Sequence, residues 1–524
     1  MPILGNLIKR GIEIRRRRDQ LRPPVVPPAT PLQMQRRVLR KLLTKAKDTE
    51  FGRAYRFRDV LAAFSLDRGD TFYQLYRRHV PIFDYNKIFE QYWHRAKAGE
   101  PDVCWPGTVR YFALSSGTSE AATKHIPVTK EMTRAMQRTG TRQIFTLGFY
   151  DLPTEFFEKG ILMLGGSTHL NHQGTFFEGD LSGIQASQIP FWFQHFYKPG
   201  PQIARETDWN AKLDEITRQA GEWDIGVIVG VPAWIQILLE KIIAHYGVEN
   251  IHEVWPNLRV YCHGGVSFDP YRKGFEKLLG HPLYYMETYL ASEGFIAYQS
   301  RPEPDGMSLV LNNGIFMEFV PFDERNFSPD GNLVANPETR MIHQIEEDVD
   351  YALLLSTCAG TWRYLIGDTV RLKNRARSEI VITGRTKHFL SLCGEHLSVD
   401  NMNRAVRQVA QALDVDIKEF AVAGVPYGTL FAHRWWIGTD DAPDPDVLRA
   451  RLDAVLCELN DDYRVERSAA LKEVYVHVVP ARLFYGWMKQ RGKEGGQNKF
   501  PRVLKKNLID DWQTYLCQEG HKIP

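Results

Sequence analysis

LRVYCHGGVSFDPYRKGFEKLLGHPLYYMETYLASEG, residues Leu258–Gly294, carries the strongest architectural signal in the chain. An apolar run, Leu258–Cys262, ends in the tight turn His263-Gly264-Gly265. A helical pattern follows over Tyr271–Leu279, and a second apolar run, Leu283–Met286, leads into Glu287–Gly294. Strand, glycine turn and helix in that order specify parallel strands, because a parallel connection needs a crossover long enough to return across the sheet. Glycine in the turn lets a ligand approach the backbone with no Cβ in the way. Towards the N-terminus the same unit recurs. Asp224–Val231 reads as a strand feeding a helix over Ala233–His245, and Gly160–Leu164 as a strand closed by Gly165-Gly166-Ser167. Ligands of such sheets sit beyond the carboxyl ends of the strands, where these turns fall.

Further N-terminal, helical patterns cover Met34–Arg78, Lys130–Thr146 and Trp209–Glu222. Towards the C-terminus, Ser308–Arg385 turns β-rich, with strands expected at Leu309–Leu311, Gly314–Val320, Tyr351–Leu355, Thr369–Lys373 and Ile380–Ile382. A second α/β section follows. It has helices over Val399–Leu413, Asp444–Leu459 and Arg502–Tyr515, and strands at Phe420–Gly424, Arg434–Gly438 and Val474–Val479. A chain of 524 residues exceeds one core. The expected fold class is α/β: an N-terminal domain over residues 1–383 with mixed and parallel sheets and a β-rich subdomain, then a small C-terminal α+β domain over residues 384–524.

The net charge of +3 gives no overall field for nucleic acid. Six cysteines lie far apart with no CxxC spacing, which points to a reducing compartment and a cytoplasmic location. The longest apolar stretch, Ile225–Leu239, contains Pro232 and Gln236 and is too short to be a transmembrane segment. The basic run Lys9–Arg22 before a Pro-rich linker reads as a solvated helix face, with contact to anionic lipid or nucleic acid as the alternative. His169 and His172 have no acidic residue placed to complete a metal site.

Four segments could serve a nucleotide. Ser115-Ser116-Gly117-Thr118-Ser119, upstream of Lys124, sets four hydroxyls in one loop. Such loops satisfy phosphate oxygens, though the composition also suits an ordinary polar turn. His263-Gly264-Gly265 could admit a flat ring, or serve only to reverse the chain. Tyr289–Glu293 offers an aromatic face for a purine, Ser292 for a phosphate and Glu293 for Mg2+; the alternative is an acidic surface loop. In WRYLIGDTV, Trp362–Val370, Asp368 follows Gly367 at a strand entrance and could accept both ribose hydroxyls, or merely cap a turn. Two lysine contexts remain, Gly384-Arg385-Thr386-Lys387 at the domain junction and Gly495-Gly496-Gln497-Asn498-Lys499 before the last helix. A loop lysine is ordinarily solvated; aimed at developing negative charge, it serves nucleotidyl transfer. Walker A, GxGxxG, GxSxG and HExxH are absent from the sequence, which argues against the enzyme classes they mark.

Taken in order, SSGTS with Lys124, YLASEG, RYLIGD, GRTKHFLSLCGEHLS and GGQNKFPR resemble the plant auxin-responsive acyl-acid amido synthetases of the adenylate-forming superfamily. The likeness spans nearly the whole chain after Phe72. It implies a large domain that holds ATP and a carboxylic acid, and a small mobile C-terminal lid. The acid is activated as acyl-AMP with release of pyrophosphate, and an amine, usually an amino acid, then attacks to give an amide. Carried over by position, Ser115, Ser116, Gly117, Thr118, Ser119 and Lys124 hold the triphosphate, while Gly264, Gly265 and Tyr289 flank adenine. Ser292 and Glu293 contact the α-phosphate and Mg2+, Asp368 binds ribose with Arg385 near it, and Lys499 is the lid lysine. The sequence departs from the family where Glu120-Ala121-Ala122-Thr123 replaces a Gly-Glu pair, and where Leu365 replaces an arginine. Val231, Trp234 and Ile235 offer an apolar wall for the acid. A thioester-forming ligase with the same first step and a non-catalytic nucleotide-binding scaffold are the alternatives.

Overall fold

The structure is a computed structural model. It describes residues 10–11, 29–66, 70–115, 124–189, 193–265, 268–269, 271–328, 331–386, 389–390, 397–427, 430–460, 463–464, 467, 471–493, 499–504 and 506–521. In chain order the strands begin with β1 Tyr111–Ser115, β2 Lys124–Val128, β3 Gly160–Leu164, β4 Asn171–Gln173, β5 Phe176–Gly179, β6 Tyr197–Lys198, β7 Ile225–Gly230, β8 Val260–Gly264, β9 Tyr284–Ala291 and β10 Gly294–Tyr298. They continue with β11 Met307–Leu309, β12 Ile315–Pro321, β13 Asp350–Thr357, β14 Tyr364–Asn374, β15 Glu379–Arg385, β16 Phe389–Leu390, β17 Leu397–Ser398, β18 Ile417–Tyr427, β19 Leu430–Thr439 and β20 Leu471–Val479.

One sheet of 11 strands, ordered β12-β13-β14-β15-β11-β10-β9-β8-β7-β3-β6, organises the molecule up to Arg385. Its two halves have different chemistry. β9, β8, β7, β3 and β6 pair in parallel. Their apolar runs GILML and IGVIVG are those of strands covered on both faces. Helices Trp209–Gln219 and Pro232–Tyr246 bury Leu213, Ile216, Leu238 and Ile242 against them. Pro232 opens the second helix and Gly247, at φ +65°, closes it, each in its favoured place. The strands from β9 through β15 and on to β12 are antiparallel. They pack under the N-terminal helices, with Leu39, Leu43, Phe51, Phe57, Trp93 and Trp362 wholly buried.

β9 is the seam between the halves, parallel to β8 on one edge and antiparallel to β10 on the other. A smaller sheet, β2-β1-β5-β4, lies beside it. Beyond Arg385, β18, β19 and β20 form a three-stranded sheet. Helices Val399–Leu413 and Pro445–Leu459 cover one face, and Ala481–Gln490 and Lys506–Gln518 the other.

The helices Lys130–Thr146 and Val399–Leu413 and the strand Gly160–Leu164 lie where the sequence puts them. Two expected helices shift, Tyr271–Leu279 to Arg272–Glu276 and Arg502–Tyr515 to Lys506–Gln518, and three features differ in kind. β9 continues to Ala291, so Tyr289 is a strand residue and only Ser292-Glu293 turn the chain into β10. Asp368 lies inside β14 rather than at its entrance, beside Gly367 at φ +91°. The helix Ala481–Gln490, whose Leu483, Phe484 and Trp487 are buried, is absent from the sequence reading.

Candidate active site

The carboxyl end of β8 sets the site. Gly264 pairs with Thr288 of β9, and a Cβ on Gly264 would stand 2.5 Å from the Thr288 carbonyl oxygen. Only glycine permits this spacing. Gly265 follows at φ +84°, and its Cβ position lies 3.4 Å from Lys499 Nζ. The C-terminal segment thus delivers its lysine onto the predicted nucleotide turn.

Asp368 reaches the same place from the far half of the sheet. The pairing of β14 with β13 and with β15 slips register around it, a bulge that re-aims its side chain. Its Oδ1 accepts from Arg385 Nε at 2.6 Å, and its Oδ2 from the Tyr289 hydroxyl at 2.5 Å. β14 and β9 are four strand-steps apart, about 19 Å in a flat sheet at the usual spacing. The hydrogen bond therefore requires the sheet to curl over. Both carboxylate oxygens keep a lone pair for a further donor such as a hydroxyl.

Charge in the site is unbalanced. Burial raises Glu293 to about 7; Asp368 adds to the rise, while Lys124 and Arg385 oppose it. Lys499 still meets solvent in the cleft. The protein around it, and then the positive charge of Arg385, lower its ammonium to about 8; Asp368 opposes this and Arg502 adds to it. Burial and the neighbouring Asp368 push the Tyr289 phenol upward, which keeps it a donor. Lys124 heads β2 opposite Ser115, with its ammonium 5.7 Å from the Tyr85 ring centroid. An anion bound between Arg385 and Lys499 would relieve their mutual repulsion. A cation at Glu293 relieves its crowding with Asp368.

The structure brings together Gly264, Gly265, Tyr289, Glu293, Asp368, Arg385, Lys124 and Lys499. Ser292 is half-buried in the turn before Gly294, and Ser115 ends β1. Ser116, Gly117, Thr118, Ser119, Lys387, Gly394, Glu395 and Gly495–Asn498 lie outside the described residues. Tyr289 is 5% exposed and leaves little ring for a base; its hydroxyl serves Asp368 instead. Ile235 is wholly enclosed, and Trp234 packs against Trp209 and Tyr485 at centroid distances of 5.1 and 6.0 Å. Of the three expected wall residues, Val231 is the one beside the Gly265 turn, 3.6 Å from its Cβ position.

Sequence reasoning missed Glu287, which burial and then Asp269 raise to about 7. It also missed Arg502, whose guanidinium joins Glu419 and Tyr271. The one available signal for Arg502 was a second cation three residues after Lys499. Among the described residues, no group of three or more His, Cys, Asp or Glu could hold a metal. No described helix is long and apolar enough to cross a membrane.

A curled sheet that is parallel in one half and antiparallel in the other, with a separate C-terminal α/β unit, is the fold of the adenylate-forming enzymes. A solved 2-hydroxyisobutyryl-CoA ligase in a postadenylation state superposes with a TM-score of 0.59 at 11% identity, over 93% of this chain and 92% of that one. The GH3 family N-terminal domain matches residues 29–220 and 205–283, the GH3 central domain 308–382 and the GH3 C-terminal domain 400–507. The chain belongs to the GH3 family. A solved GH3.15 acyl acid amido synthetase superposes with a TM-score of 0.73 at 16% identity, over 92% of this chain and 93% of that one. The same kind of enzyme in complex with 2,4-DB gives 0.74 at 17%, over 92% and 93%. Among curated relatives, a probable indole-3-acetic acid-amido synthetase of Oryza sativa subsp. japonica is 28% identical over 127 residues, 23% of this chain and 25% of that one. A jasmonoyl–L-amino acid synthetase of Nicotiana attenuata is 28% identical over 175 residues, 32% and 29%. The matched part thus spans 25–30% of the length of these curated relatives.

Proposed function

We propose that this chain is an ATP-dependent acyl-acid amido synthetase, a ligase that joins a small carboxylic acid to an amine, in the first place an amino acid. The observation that carries the reading is the clustering of Asp368, Arg385 and Glu293, with Lys499 set between Asp368 and Arg385 on one side and the Gly265 turn on the other. Residues 1–383 hold ATP and the acid, and residues 384–524 form the lid that brings Lys499. The free lone pairs of Asp368 take ribose hydroxyls. Lys124 and the 115–119 loop take the triphosphate, and the acid lies towards Val231.

A carboxylate is a poor electrophile, because attack on it would have to expel oxide. An acid oxygen therefore attacks the α-phosphorus, the bond to pyrophosphate breaks, and the acyl-adenylate forms. Lys499 neutralises the charge gathering on the phosphoryl oxygens. The amine then attacks the acyl carbon and AMP leaves with the bonding pair. No enzyme nucleophile is needed. Glu293 fits Mg2+: a buried carboxylate held near protonation gains by meeting a cation, and Mg2+ carried on phosphates needs only one or two carboxylates. When bound there, Mg2+ would supply charge neutralisation on the phosphate oxygens. The reading includes a cytoplasmic location, supported by five described cysteines that are all unpaired.

ATP–pyrophosphate exchange over a panel of carboxylic acids tests the reading, followed by amino acids or CoA as acceptors. Acid-dependent exchange with amide formation is expected. Absence of exchange with every acid, at any Mg2+ concentration, favours a scaffold, and thioester formation without amide favours the thioester ligase.

A further inference from the structure

The segment bearing Lys499 is tied down on both sides. Phe500 is buried in an aromatic cluster with Phe484, Trp487 and Trp512, at centroid distances of 4.6, 4.9 and 5.0 Å. Two residues on, the chain lies along β18: Val422 N–H donates to the Arg502 carbonyl and Leu504 N–H to the Val422 carbonyl, both at 2.8 Å. These contacts all lie within the C-terminal unit. They hold Lys499 to that unit without placing it against Gly265, which belongs to the large sheet.

The side chain of Arg502 makes the missing connection. Its Nη1 donates to Glu419 Oε2 and to the Phe420 carbonyl, the latter at 2.8 Å, and its Nη2 to the Tyr271 hydroxyl at 3.3 Å. That hydroxyl in turn donates to Glu419 Oε1 at 3.0 Å. Tyr271 is 2% exposed and Glu419 5%, so both lie out of water. The Arg502–Glu419 pair is internal to the C-terminal unit and survives any movement of it. The two bonds to Tyr271 exist only while that unit is docked as seen here. Ion pairs Arg407–Asp269, Lys273–Asp414 and Lys418–Glu240 bridge the same boundary at its more solvated rim.

We propose that Tyr271 is a positioning residue for acid activation: by closing a buried triad with Glu419 and Arg502, it fixes the C-terminal unit in the one placement that puts Lys499 against the Gly264-Gly265 turn. The inference rests on the adenylating function proposed above. Tyr271 touches neither the turn nor Lys499, so it acts only through where the lysine stands. It has no part in the second step, in which an amine displaces AMP from an acyl-adenylate already made.

Tyr271→Phe removes the hydroxyl, keeps an aromatic ring in the buried cluster to which Tyr271 belongs, and leaves Glu419 paired with Arg502. Losing two buried bonds to charged partners lowers acid-dependent ATP–pyrophosphate exchange at least about tenfold. Amide formation from chemically synthesised acyl-adenylate plus amino acid stays at the wild-type rate. In a Lys499→Met background, adding Tyr271→Phe produces no further loss of exchange, because the group it positions has gone. Three results overturn the proposal while leaving the function standing: wild-type exchange in Tyr271→Phe, equal loss in both partial reactions, or a full additional loss in the double variant. A wild-type chain that shows no exchange with any acid of the panel overturns the proposed function, and the positioning role falls with it.

Discussion

Lys499→Met isolates the charge of the proposed lid lysine, because the substitution keeps the length of the side chain and removes the ammonium. In the structure that ammonium stands 3.4 Å from the Gly265 Cβ position, among Arg385, Arg502 and Asp368. Two independent estimates give the size of its effect. Removing one preorganised stabiliser of a developing oxyanion costs about 10²–10³ in kcat, roughly 2.7–4 kcal/mol. Coulomb's law for unit charges about 4 Å apart gives about 4 kcal/mol at an effective dielectric constant near 20. The two agree, so exchange at saturating ATP and acid should fall at least about a hundredfold. Folding should not suffer, since the substitution removes a cation repelled by two arginines. The pH profile adds a second signature. Glu293, raised to about 7, is protonated and unable to hold Mg2+ below that pH, so kcat/KM for ATP rises through about 7. Lys499, lowered to about 8, loses its charge as pH rises through that value, so the rate falls again on the alkaline side. The methionine variant keeps the acid limb and loses the alkaline one. An exchange rate within a few-fold of wild type, or an alkaline limb that persists in the variant, would refute the assignment.

Asp368→Ala should raise the KM for ATP more than it lowers kcat, because ribose contacts form in the ground state as well as the transition state; an unchanged KM moves the ribose elsewhere. Gly264→Ala sets a Cβ 2.5 Å from the Thr288 carbonyl and should destabilise the protein by about 1–3 kcal/mol in denaturant titration, with weaker ATP binding. Gly140→Ala, in the helix Lys130–Thr146 with nothing within 4 Å, should instead stabilise it by about 0.5–1 kcal/mol. Glu318→Gln leaves the buried Arg363 guanidinium, now 2.9–3.0 Å from carboxylate oxygens, without its counter-charge, and should cost about 3–5 kcal/mol of stability.

Much of this architecture was legible because local patterns and the fold agree. GILML and IGVIVG are apolar without alternation, as strands covered on both faces must be, and glycines punctuate each turn. The proposed nucleotide turn at Gly264-Gly265 and the lysine that meets it were both readable as residues. Their contact was not, since 234 positions of sequence separate Gly265 from Lys499 and no local pattern encodes how two units dock. The role of Tyr289 escaped for a related reason. Its partner Asp368 lies four strands away, and only the curl of the sheet brings the two within a hydrogen bond. Asp368 itself was recognised, but its position inside β14 depends on a slip in pairing register that the sequence marks only by Gly367. The expected acid pocket illustrates the converse. An apolar helix start was read as a ligand wall, while the structure gives Ile235 to the core and leaves Val231 beside the turn.

Activation of a carboxylic acid as an acyl-adenylate, followed by its transfer to an amine, would leave one carboxyl oxygen in AMP. A substrate acid carrying ¹⁸O in both carboxyl positions, turned over with ATP and an amino acid, should leave one label in the phosphate of AMP and one in the amide product. Unlabelled AMP, or ADP together with labelled inorganic phosphate, would contradict it.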